Sequence, residues 1–168
     1  MLFRSIEFEF RKNIFNRYDS QRERMNRLSL GLNASYIHTD MLLNILNTEP
    51  RKSGLEGASP FLTNADISYH YTKGEKNIVA SLIFNYFSDR IHTVGATGFK
   101  DIMEEGVPTL SFASTYSVNR RLSFKLNASN LLNSPYRLSR ENSVSDDKVI
   151  LNEFKKGQNI SLGISYEF

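Results

Sequence analysis

Side chains able to do chemistry are sparse in this sequence. Its three histidines, His38, His70 and His92, stand on separate segments, and no HExxH or other paired spacing joins them into a metal or acid–base site. There is no cysteine, which removes disulfides, CxxC redox chemistry and thiolate metal sites together. No GxSxG elbow, Walker loop or GxGxxG turn occurs. Carboxylates are the one reactive group in quantity: Asp40, Glu49, Glu56, Asp101, Glu104, Glu105, Glu153 and the pair Asp146-Asp147 fall in polar stretches. Such a set could hold a cation or a basic ligand, although solvated loop charge is the simpler reading. On these grounds no enzyme activity, cofactor or metal is expected.

The elements that must position these residues read as β-strands. Residues two apart on a strand share a face, so apolar–polar alternation marks a two-faced strand. At the C-terminus Ile160, Leu162, Ile164, Tyr166 and Phe168 oppose Asn159, Ser161, Gly163, Ser165 and Glu167. The same pattern recurs from Ser5 to Arg11, Arg27 to Tyr36, Asn64 to Thr72, Thr109 to Val118 and Leu122 to Ser129. Only Ile78 to Phe87 is apolar on both faces, which leaves the register of 77–88 open. The sum is an all-β chain of about seven long antiparallel meander strands. Several run well beyond the roughly five or six residues of an ordinary soluble strand.

Such length suits a membrane barrel, whose tilted strands need about 9–11 residues to cross the hydrocarbon. A mean hydropathy of −0.39 and the lack of a long apolar run exclude a membrane-spanning helix but not a barrel, because alternation averages to a hydrophilic value. Tyr36, Tyr71, Tyr86, Tyr116, Tyr166 and Phe168 sit near strand ends, as an interfacial aromatic girdle would. Tight turns at 72–76 and 118–121 alternate with long polar connections at about 43–60, 93–107 and 133–153, the asymmetry of an outer-membrane barrel. The first connection, about Lys12 to Met25, is intermediate in length and blurs that alternation. An odd strand count, with the first strand starting on the long-loop side, points to the C-terminal piece of a larger barrel: a partial barrel, and an open curved sheet if alone.

Several stretches carry a family resemblance. They are Ile6-Glu-Phe-Glu-Phe-Arg-Lys12, Gly54-Leu-Glu-Gly-Ala-Ser-Pro-Phe61 leading into Asn64-Ala-Asp66, and Asn85-Tyr-Phe87 with Arg90-Ile91 and Val94-Gly95. Asn130-Leu-Leu-Asn133 with Tyr136, and Lys156-Gly157 followed by Ile160 to Phe168, complete the set. Together they resemble, over nearly all 168 residues, the C-terminal third of a TonB-dependent outer-membrane receptor of the kind common in Bacteroidetes-type bacteria. Departures are Ser88 where Gly is usual, Lys100 where Pro is common, and Val107-Pro-Thr109 in place of a Pro-Arg pair.

The resemblance implies a segment of cell outer-membrane wall in a transporter of iron chelates, cobalamin, glycans or peptides. The plug and the N-terminal strands of the roughly 22-strand barrel are absent from this sequence, so the segment is not expected to transport alone. Leu162, Ile164, Tyr166 and Phe168 would form the signal read by the barrel-assembly machinery. Glu7, Glu9, Arg27, Asp66 and Lys125 would face the lumen. The implied partners are outer-membrane lipid, the assembly machinery, the rest of the receptor, and TonB indirectly through the plug.

Two readings of other classes stand beside this one. A small self-contained outer-membrane barrel with an adhesin or structural role requires an even strand number, and a soluble lipocalin-like barrel requires an apolar interior. Nucleic acid is not an expected partner. The net charge is only +3, and Arg22, Arg24, Arg27, Arg120, Arg121, Lys155 and Lys156 form no stripe.

Overall fold

The computed structural model describes residues 2–20, 24–44, 50–96, 98–143, 145 and 147–168. Arg22, Glu49 and Asp146 lie outside them. In chain order the strands are β1 (Leu2–Asp19), β2 (Arg24–Leu43), β3 (Arg51–Ser53), β4 (Phe61–Lys73), β5 (Lys76–Phe87), β6 (Arg90–Thr93), β7 (Ile102–Glu104), β8 (Val107–Ser117), β9 (Leu122–Ser129), β10 (Pro135–Glu141), β11 (Lys148–Lys155) and β12 (Asn159–Tyr166). No α-helix occurs among the described residues.

Seven of these strands are the expected meander, hydrogen-bonded in the order β1-β2-β4-β5-β8-β9-β12 with every pair antiparallel. The sheet is open, and β1 and β12 form its two edges. Register sorts the side chains into two faces, because directly paired residues project to the same side. One face carries the row Leu30, Ile67, Leu82, Phe112, Ala128 and Ile160, each paired with the next. The other carries Asn33, Asn64, Asn85 and Thr109 in the same manner. The open register of β5 is settled by its neighbours: Phe84 pairs Ala65 and Leu110 on the apolar face, while Val79 and Ile83 lie on the polar face beside His70 and Asp66. Lys12 and Ser114 are polar interruptions of the apolar band.

This sheet has almost no interior. Ala128 is the one buried hydrophobic residue among those described, while Leu162, Ile164 and Ile6 on the apolar face are 82%, 73% and 73% exposed. A soluble fold holds its shape by removing such surface from water, whereas most of this face stays exposed.

Two expectations change. The stretch from Lys12 to Met25 is mostly strand, since Asp19 already pairs Arg24. A bulge between Asn13 and Phe15 inserts Ile14 and exchanges the parity of the strand, which hides its alternation from a period-two reading. The β1–β2, β4–β5 and β8–β9 connections therefore all lie at one end of the seven-stranded sheet. There Gly74 supplies the left-handed residue (φ 55°) of a two-residue hairpin, and Asn119 Oδ1 accepts from the amides of Arg121 and Leu122.

The long connections are likewise not plain loops. β3 adds to β2, and β6, β7, β10 and β11 form a second antiparallel sheet in the order β11-β10-β7-β6. The seven-stranded sheet forms one continuous wall, and that order repeats its β12-β9-β8-β5, the strands from which these pieces follow or into which they lead. The second sheet thus continues the wall beyond a shared crease at about 88–89, 105–106, 130–134 and 156–158.

Candidate functional site at the crease between the sheets

Left-handed residues and cross-strand bonds build the crease. Asn130 (φ 55°) and Asn133 (φ 45°) turn the chain from β9 into β10, and Gly157 (φ 82°) turns it from β11 into β12. Asn130 Nδ2 donates to Gly157 O at 2.6 Å, Gln158 Nε2 to Leu131 O at 2.7 Å, and Ser134 Oγ to Pro108 O at 3.0 Å. The amide of Gly106 donates to Asp89 Oδ1 at 2.7 Å, and that of Leu131 to Leu110 O at 2.8 Å. Backbone groups freed where the ladders break are in this way satisfied again.

Beside these turns lies a cavity of about 390 Å³. Its charged wall is Arg90 of β6 and Glu104 of β7, joined by two 2.8 Å hydrogen bonds, with Glu104 only 5% exposed. Arg90 also lies over the Phe87 ring at 4.8 Å and donates to Gly57 O at 3.3 Å. The Glu104 hydrogen bonds hold the Arg90 guanidinium firmly charged, whereas burial and then the Glu104 charge push the Tyr136 phenol above its ordinary value. Lys156, exposed, also lines the cavity, its ammonium 5.5 Å from the Tyr136 ring centroid. Thr109 and Ser129 reach the cavity from the polar face of the wall.

The carboxylates expected to be solvated are mostly tied to cations or amides instead. Asp101 pairs with Arg51, and burial, which opposes its ionisation, is outweighed by Arg51 and by the Gly95 amide, so its pKa is lowered. Glu105 is held below its ordinary value chiefly by Lys148, at 2.7 Å. Glu153 accepts from Arg137 at 2.7 Å, Asp40 lies 3.4 Å from Lys52, and Glu56 accepts the Val94 amide. Among the described residues no three His, Asp or Glu side chains converge as metal ligands.

Glu7, Glu9, Arg27, Asp66 and Lys125 all fall on the polar face of the seven-stranded sheet, but on four different strands and not in one cluster. Glu9 pairs with Arg11 at 2.8 Å, and Arg27 approaches His70 Nδ1 at 3.5 Å. Asp66 lies over Gly31 and accepts from Ser68 at 3.4 Å. Leu162, Ile164 and Tyr166 line the apolar face of the edge strand β12, which ends at Tyr166; Phe168 lies just beyond it, edge-on to Tyr166 at 5.2 Å. Sequence reasoning passed over Arg90 and Lys156 as site residues. Their signal was position, Arg90 standing just after the wall strand that ends at Phe87 and Lys156 just before the one that begins at Asn159. No family model, curated protein or solved structure matches the chain.

Proposed function

We propose that this chain is the C-terminal wall segment of an outer-membrane nutrient receptor of the TonB-dependent kind. Lipid covers its apolar face, and its polar face turns to the lumen. The observation that carries the reading is the open antiparallel meander with one exposed apolar face, one polar face and almost no buried hydrophobic residue. Strands β4, β5 and β8, of 13, 12 and 11 residues, are long enough to cross the hydrocarbon. The division into short connections at one end and folded hairpins at the other also supports it. In this reading β1 and β12 pair with the rest of the receptor, plug included, which relays TonB. The face of Leu162, Ile164, Tyr166 and Phe168 is presented to the barrel-assembly machinery. Import of an iron chelate, cobalamin, glycan or peptide belongs to that assembly rather than to this segment.

The chain contains no tryptophan, so one introduced indole reports cleanly on its surroundings. Leu82→Trp on the apolar face and Ser81→Trp on the polar face are to be reconstituted, as full chains, into vesicles of brominated phospholipid. Strong quenching of the indole in the Leu82→Trp chain, with little quenching in the Ser81→Trp chain, is expected. Equal quenching of the two, or no association with vesicles as for a soluble barrel, refutes the reading.

A further inference from the structure

The crease cavity retains hydrogen-bonding capacity of both kinds. Arg90 is held in the cavity wall by three of its five N–H groups, with Nε and Nη2 on Glu104 and Nη1 on Gly57 O. Ser134 directs its hydroxyl proton to Pro108 O, and Asn130 directs an amide proton to Gly157 O. The side-chain oxygens of these two residues keep lone pairs and Asn130 keeps a second amide N–H, so a ligand group that both donates and accepts, as a hydroxyl does, suits them. Thr109 and Ser129 can serve in either role. Charge is one-sided. Arg90 and Glu104 offset each other, and Lys156 meets only the Tyr136 ring among the described residues. Phe87 and Val107 add an apolar wall, and about 390 Å³ falls within the range of small-ligand sites.

We propose that this cavity binds a small polyhydroxylated carboxylate, of the size and chemistry of a sugar acid. Lys156 takes the carboxylate, and the ligand hydroxyls donate to Asn130 and Ser134. The site is built wholly within this chain, so it goes beyond the membrane reading and can fail separately from it.

The test titrates D-glucuronate into the full chain in detergent micelles, with the backbone amide resonances of Asn130 and Gly157 as readout. D-glucose and benzoate serve as probes that lack the charge and the hydroxyls respectively. Saturable shifts with glucuronate are expected, with both other probes binding more weakly. Lys156→Met should weaken glucuronate about tenfold or more, the usual effect of losing a charged hydrogen bond, while Lys76→Met at the opposite end leaves it unchanged. In the unmodified chain, added salt should also weaken glucuronate but not glucose, a comparison that needs no variant to fold. Absence of saturable glucuronate shifts overturns the proposal. So does glucose or benzoate binding as tightly as glucuronate, or an unchanged affinity in a folded Lys156→Met.

Discussion

Asp66 of β4 lies directly across from Gly31 of β2, and its carboxylate fills the space that a side chain at position 31 would need. The absence of a Cβ at 31 is what lets this charge lie flat on the polar face. Gly31→Ala should therefore cost about 1–3 kcal/mol in the full chain, through displacement of Asp66. In an Asp66→Ala background the same substitution should cost much less, giving a coupling of about 1 kcal/mol. Denaturant unfolding of the four proteins checks this, and simple additivity would mean the carboxylate does not compete for the space.

Glu104→Gln keeps the shape of the crease but removes the charge that Arg90 grips with two 2.8 Å bonds. A loss of about 1–3 kcal/mol is expected, limited by the partial exposure of Arg90. Faster amide exchange should appear first at Glu105 and Gly106, which are hydrogen-bonded across the same crease. Arg90→Lys, which cannot grip both oxygens at once, should behave similarly.

The Arg51–Asp101 pair ties the β3 strand to the segment before β7 and predicts a pH response. Because the folded-state pKa of Asp101 is lowered from 3.8, its contribution is complete above that value. It is lost as pH falls from there through the lowered pKa. Acid titration should loosen the amide of Gly95, which donates to Asp101, and Asp101→Asn should abolish this acid-dependent component.

Asn133 and Asn130 separate backbone strain from side-chain bonding. Both are left-handed, but only Asn130 has a side chain bound to Gly157 O. Asn133→Gly should be nearly neutral, and Asn133→Val should cost about 1–2 kcal/mol. Asn130→Gly should lose more than Asn133→Gly, by about 1 kcal/mol. Thermal unfolding of the variants ranks them.

The wall strands other than β5 were legible because each has one apolar face, and Leu162 or Phe124 announces its side by parity alone; β5, apolar on both faces, took its register from its neighbours. β1 was legible only to its bulge, since Phe10 and Phe15 cannot share a face without the extra Ile14. β10 and β11 were hidden for a different reason. Their pairing rests partly on Arg137 against Glu153, and it passes a register shift after Leu138, so hydrophobic period gives no guide. The polar-face positions of Glu7, Glu9, Arg27, Asp66 and Lys125 followed directly from alternation. The crease cavity did not, because its residues come from separate strands and turns that only the register brings together.

Four strands bonded side to side turn as a plate, and the second sheet meets the wall along one line. Tilting that plate changes the separation of Tyr136, in β10, from Thr109 without altering any single rotamer. Leverage follows: a substitution at the far end of β10 or β11 that changes this angle reaches the cavity, because Tyr136 of β10 lines it opposite Thr109 and Ser129 of the other sheet.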